Sequence, residues 1–167
     1  MPPKSAAINP KHWIEFENSM AGFKRSVVID RPIEEVFDFA TDLDNASKFL
    51  PGVTNVELLT DGGLKPGAKF KETRNGRSAV IEVVEHRRPV IHAAGAAMLG
   101  MRATYWFHFS TEPAGTRVEM EADVQGNFFW RPFLGLMSRL MEKEDGPYLD
   151  RLQAAMQPTP DAKPTGR

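Results

Sequence analysis

Three side chains of this sequence could do acid–base chemistry from positions where charge or polarity has to be explained. In Ala68-Lys69-Phe70-Lys71-Glu72-Thr73, alternation puts Lys69, Lys71 and Thr73 on one face of a strand. Ala68, Phe70 and Glu72 take the other, and Phe70 marks that face as the inner one. Arg25 likewise shares a parity with Phe23, Val27 and Ile29. A charge inside a core meets a partner, shifts its pKa or borders a wet cavity, because leaving it bare costs several kcal/mol. Three readings of Glu72 are open: a barrel-end position that reaches water, a buried pair with Arg25 or Arg74, and a cavity group that touches a ligand. His92 lies in Val90–Met98, a stretch of Ala and Gly with few bulky side chains. It shares parity with Ala94, Ala96 and Met98, so it either projects into unfilled space or faces water at the strand's entrance. Tyr105, Phe107 and Phe109 form an inner parity on the next strand. Glu72, His92 and Tyr105 are thus the proton-moving candidates, provided that a substrate comes within hydrogen-bond reach of them.

Familiar catalytic patterns are missing. The sequence has no HExxH, no phosphate-binding glycine loop, no GxGxxG and no GxSxG. Its four histidines, His12, His86, His92 and His108, lack metal-ligand spacing, so neither a metal site nor a cofactor is expected. Lys65, Lys69, Lys71, Arg74, Arg77, Arg87 and Arg88 outnumber Glu72, Glu82 and Glu85 in the same stretch. This excess reads as solvated outer face and hairpin tip, or else as a guide for an anionic ligand or acyl carrier.

The elements that must position these groups follow from periodicity. Phe23–Ile29 reads as a strand that stops at Asp30-Arg31-Pro32. Pro32 then opens a helix with Ile33, Val36, Phe37 and Ala40 on one face. A second short helix has Asp44 as N-cap and ends at Pro51-Gly52. Six strands follow: 53–60, 68–73, 78–86, 90–98, 102–112 and 116–125. Asn75-Gly76 is the strongest hairpin signal among them. On the last strand Val118, Met120, Ala122 and Val124 point in, while Arg117, Glu119, Glu121 and Asp123 form a solvated face. On the strand before it, Thr104, Trp106, His108 and Ser110 point out. A long helix closes the chain, its apolar face drawn from Phe129, Phe133, Leu136 and Leu140 and then Leu149, Leu152 and Met156. Met137 and Met141 lie alongside, and Gly146-Pro147 predicts a kink or two abutting helices. Residues 1–22 form an N-terminal extension, which reads as a short helix from Asn9 through Trp13, Phe16 and Met20 or, by Ile14 and Phe16, as a strand. Residues 23–156 form one domain, and 157–167 a proline-rich disordered tail.

This order of elements resembles the helix-grip proteins of the START-like (SRPBCC) superfamily, in particular the polyketide cyclase/dehydrase branch. The resemblance rests on Val28-Ile29-Asp30-Arg31-Pro32-Ile33-Glu34-Glu35-Val36-Phe37, Leu50-Pro51-Gly52-Val53 and Gly67-Ala68-Lys69-Phe70-Lys71-Glu72. It rests also on Glu82-Val83-Val84-Glu85-His86-Arg87-Arg88-Pro89, on Gly115-Thr116-Arg117-Val118 and on the closing helix. It implies an α+β fold, a seven-stranded curved antiparallel sheet around the C-terminal helix, with a hydrophobic cavity between them that holds lipids, quinones or polyketide-like molecules. Such a cavity would be lined by Phe70, Glu72, His92, Tyr105, Phe107, Met120, Phe133, Met137 and Met141. The resemblance carries no catalytic residues over, so a binding protein leads and a cyclase or dehydratase is the alternative.

Composition bounds the partners. With 21 basic and 22 acidic residues the net charge is −1, which provides no global field for nucleic acid or for an anionic membrane, so neither is the default partner. Cysteine is absent, which removes disulfides and thiolate chemistry and fits a reducing compartment. The longest weakly polar stretch, 93–101, falls far short of the ~20 residues that span a bilayer. The start lacks the apolar region of a secretory signal, and the expectation is a cytoplasmic protein. Phe128-Phe129-Trp130-Arg131-Pro132-Phe133-Leu134 reads either as a plug for the barrel or as a contact with a membrane surface or partner. A sheet edge or the N-terminal segment offers a route to a dimer.

Overall fold

Alternation and turn chemistry give seven strands. The computed structural model describes residues 21–157; the helix expected around Trp13, Phe16 and Met20 and the tail beyond residue 157 lie outside them. The strands are β1 (Ala21–Ile29), β2 (Val53–Leu58), β3 (Lys69–Arg74), β4 (Arg77–Arg87), β5 (Ile91–Met98), β6 (Met101–Glu112) and β7 (Gly115–Gly126). Helix α1 (Ile33–Thr41), a 3₁₀ turn (Leu43–Asn45) and helix α2 (Ala46–Phe49) join β1 to β2. A second 3₁₀ turn (Arg131–Phe133) precedes α3 (Leu134–Asp145) and α4 (Tyr148–Met156).

All strand pairs are antiparallel, in the order β1-β7-β6-β5-β4-β3-β2. Strands β2 to β7 make the expected meander. The helical connection after β1 carries the chain from one edge of the sheet to the other. Asn75 and Gly76 both take positive φ (50° and 75°), the conformation that a two-residue hairpin between twisted strands requires. Cross-strand register sets one inward row through Phe23, Ala122, Tyr105, Ala94 and Val83. A second row runs through Met120, Phe107, His92 and His86. Phe23, Phe37, Phe49, Phe109, Met120, Tyr148, Leu149 and Leu152 bury together, so α1, α2 and α4 close the concave side over these rows.

Several local expectations are corrected. Asp42, not Asp44, caps the turn after α1, its Oδ1 accepting from the Asp44 amide at 3.0 Å. The closing helix breaks at Gly146 and Pro147 into two helices, one of the two outcomes expected there. Phe129 and Phe133 precede both of them, and α3 turns its Leu136 and Leu140 to solvent on the side where Phe133 is exposed. Leu134 and Ser138 are the buried residues of that helix. Two apolar series run along α3, and spacing alone does not say which one meets the sheet. The outer face of the sheet is not uniformly solvated either. Thr104 and Trp106 are buried, Trp106 in a small cluster with Ile91 and Ala93. Glu121 is buried against Lys24 Nζ at 2.6 Å, and Asp123 is buried beside Gln125. Parity decides the face a side chain takes, not whether that face is wet.

Candidate functional site

A cavity of about 1020 Å³ separates the inner face of the sheet from the helices. Its wall is mostly apolar: Leu43, Phe49 and Leu50 from the connection, Phe70 and Ile81 from β3 and β4, Phe107 and Met120 from β6 and β7. The small residues of β5 (Ala94, Gly95 and Ala96) line it as well, so the volume they leave unfilled is open space. Lining residues Arg77, Ser78, Ala79 and Met98 are exposed and mark its mouth at the end of the sheet that holds the β3–β4 and β5–β6 hairpins.

Polar groups enter this wall as a connected chain. Glu72 and Arg74 share the inner parity of β3, with Arg74 Nε 3.1 Å from Glu72 Oε1. Arg74 Nη1 donates to Asp145 Oδ1 at 2.9 Å, and Tyr105 Oη donates to Asp145 Oδ2 at 2.5 Å. Glu72 and Asp145 are only 14 % and 17 % exposed, so both carboxyls and the guanidinium are held largely out of water. Burial raises the Glu72 pKa above the usual carboxylate range; the charge of Arg74 opposes the rise and that of Asp145 adds to it. Burial, then the Asp145 charge, pushes the Tyr105 phenol far up, so it stays protonated as a donor. Tyr148 is raised by its burial and by Glu72. Its hydroxyl lines the cavity side of α4 without a hydrogen bond to any described residue.

A second polar pair lies further in. His86 Nδ1 and His92 Nδ1 are 3.0 Å apart across β4 and β5. One ring donates and the other accepts, which requires at least one neutral imidazole. Burial and the neighbouring His86 bring His92 down to about 4, and burial lowers His86 too. The pair is therefore neutral near pH 7. Phe37 of α1 packs on His86 with ring centroids 5.3 Å apart.

Of the residues expected at the site, Phe70, Glu72, His92, Tyr105, Phe107, Met120 and Met141 line the cavity. Phe133 and Met137 do not. Phe133 is 54 % exposed because it precedes the first turn of α3 and points away from the sheet. Arg25 is no partner for Glu72: from the edge strand β1 it reaches Glu142 of α3 at 2.6 Å. The basic excess around β3 and β4 is largely paired, Lys71 with Glu57, Arg87 with Glu85 and Arg88 with Asp38.

Three site residues are not legible in the sequence pattern. A register shift between Val83 and Glu85 turns His86 inward. Asp145 and Tyr148 flank the helix break, which lets the end of α3 and the start of α4 both face the cavity. Gly146-Pro147 is the available signal, since a break in a helix lying over a concave sheet re-aims the side chains beside it.

Residues 20–157 match the model of the family described as polyketide cyclase / dehydrase and lipid transport. No curated protein matches the sequence. Among solved structures, a hypothetical protein of Helicobacter pylori is 18 % identical, with a TM-score of 0.68 over 94 % of this chain and 99 % of that one. A protein of Nitrosomonas europaea is 14 % identical, with a TM-score of 0.66 over 82 % and 94 %. The di-domain ARO/CYC BexL from the BE-7585A biosynthetic pathway is 20 % identical, with a TM-score of 0.65 over 90 % of this chain and 55 % of that one. At these identities the likeness is one of fold.

Proposed function

Because the chain belongs to the polyketide cyclase / dehydrase and lipid transport family, we propose that it binds an apolar small molecule with an oxygen-bearing end, a lipid, quinone or polyketide-like compound. The observation that carries this reading is the cavity of about 1020 Å³, apolar along most of its wall and crossed by one polar chain, Glu72–Arg74–Asp145–Tyr105. Such a wall suits a ligand that is held by burial and oriented by a few fixed groups. Burying ~300 Å² of apolar ligand surface is worth about 7 kcal/mol before the costs of association, which sets about 10 μM as the tightest affinity this term alone supports. Met120 and Met141 give the wall flexible, polarizable contacts that adapt to shape. Absence of cysteine supports a cytoplasmic setting, and no helix among the described residues is long and apolar enough to cross a membrane.

Native mass spectrometry of the purified protein tests this directly, with N-phenyl-1-naphthylamine as an apolar reporter for protein that emerges empty. The expected result is either a co-purified small-molecule adduct or one-to-one uptake of the reporter. An unliganded mass together with no uptake overturns the reading.

A specific observation favours an enzymatic variant of the same site. Glu72, with its raised pKa, faces the cavity near the unbonded Tyr148 hydroxyl and beside a guanidinium. A carboxyl that titrates closer to neutrality can take and return a proton, as cyclisation or dehydration of a polyketone requires. Conversion of a poly-β-ketone thioester by the wild type, lost in Glu72→Gln while N-phenyl-1-naphthylamine is still bound, would support cyclase or dehydratase activity. No conversion by the wild type leaves the binding function alone.

A further inference from the structure

The cavity mouth carries a second feature, on the outside. Met98 and Leu99 at the β5–β6 tip are 69 % and 75 % exposed, and Phe128 and Phe129 in the loop before α3 are 79 % and 80 % exposed. Phe133, Leu136 and Leu140 continue this apolar surface along the solvent side of α3. The segments are tied together. Trp130 Nε1 donates to the Leu99 carbonyl at 2.7 Å, and the Asn127 amide donates to the Gly100 carbonyl at 3.1 Å. Four large apolar side chains thus project from two linked loop tips instead of plugging the barrel. Phe128, Phe129 and Phe133 therefore do not plug the barrel, whereas Leu134 at the end of the same cluster is buried. An apolar surface of this kind on a folded chain marks a contact site.

Charge identifies what it meets. Segments 98–102 and 126–140, which carry the patch, contain Arg102, Arg131 and Arg139, all exposed, and no acidic residue. The adjoining β3–β4 tip, Asn75-Gly76-Arg77, adds another exposed arginine and no carboxylate. Projecting aromatic and aliphatic side chains rimmed by guanidinium groups suit the headgroup layer of an anionic bilayer, where apolar tips enter the acyl boundary and cations stay with the phosphates. A second copy suits the patch less well, because a two-fold contact would set the same arginines against one another.

We infer that this end of the molecule docks on anionic membrane surfaces through Leu99, Phe128 and Phe129, with Arg102, Arg131 and Arg139 on lipid phosphates. The docked face adjoins the cavity mouth, so the cavity opens towards the bilayer. This inference stands apart from what the cavity holds.

Flotation of the full chain with phosphatidylcholine vesicles, with and without phosphatidylglycerol, tests it. The expected result is capture by the anionic vesicles, weakened by salt and much weaker on the neutral ones. Phe128→Ala combined with Phe129→Ala should reduce capture at least ~10-fold, and Arg131→Gln with Arg139→Gln by ~10-fold on anionic vesicles only. All four positions are exposed, so circular dichroism should show an unchanged fold. Absence of capture by either vesicle overturns the inference, as does capture that the phenylalanine variants leave unchanged. Sedimentation velocity without lipid should show a monomer. A dimer that the phenylalanine variants dissociate would assign the patch to a second copy and overturn membrane docking.

Discussion

Tyr105 Oη and Asp145 Oδ2 lie 2.5 Å apart, so strand β6 is latched to the last residue of α3. Asp145 is also the acceptor for Arg74, which makes it the joint between sheet and helix. Removing the phenol hydroxyl leaves a largely buried carboxylate oxygen without its donor. Tyr105→Phe is therefore expected to cost about 1–3 kcal/mol in urea denaturation. A change below about 0.5 kcal/mol would show that the latch does not contribute.

Arg74 neutralises two carboxyls, Glu72 and Asp145, so its replacement should behave oppositely to the loss of one acid. Arg74→Met leaves both acids facing a low-dielectric space without a cation, at an expected cost of about 3–5 kcal/mol near pH 7. That cost should shrink on acidification, as the carboxyls protonate. Glu72→Gln removes a charge that burial disfavours. The folded pKa of Glu72 is raised, so its contribution to stability is present below the unfolded value and is lost as pH rises through the folded one. Glu72→Gln should accordingly be neutral or stabilising, within about 1 kcal/mol, at pH 7. Equal destabilisation by both variants would contradict this arrangement.

His92 gives the acid side of the stability profile. Its folded pKa, brought down to about 4, lies below the ordinary value of about 6.5. Unfolded chains therefore take up a proton that the folded site refuses. The contribution is fully present above pH ~6.5 and is lost as pH falls towards 4, amounting to about 3 kcal/mol. In His92→Gln, denaturation midpoints followed across this window should fall less steeply than in the wild type. Parallel profiles would show that His92 titrates alike in the folded and unfolded chains.

The architecture was legible because its signals are local. Asn75-Gly76 marks a hairpin by backbone conformation alone, and the alternation of Phe70 with Lys69 and Lys71 places Glu72 inside without knowledge of the rest. His86 was not legible, since the irregularity after Val83 reverses parity and nothing in Glu82-Val83-Val84-Glu85 announces it. The inner side of α3 escapes a reading by hydrophobicity because Phe133, Leu136 and Leu140 are the more hydrophobic series, yet they face solvent. Burial of Glu121 beside Lys24 depends on what covers the outer face, which a strand's own residues do not record. Asp145 and Tyr148 required the helix break to be placed over the cavity. Local chemistry thus gave the elements, and long-range packing decided which of their side chains meet.

A binding role requires that an apolar molecule lodge in the cavity. Ala94 and Ala96 line it on β5, so a tryptophan at either position would occupy the space from one side. Fluorescence titration with N-phenyl-1-naphthylamine should give one-to-one binding in the micromolar range for the wild type. In Ala94→Trp and Ala96→Trp the affinity should drop at least ~10-fold while the circular dichroism spectrum stays unchanged. Failure of the wild type to bind, or undiminished binding by both tryptophan variants, would contradict that role.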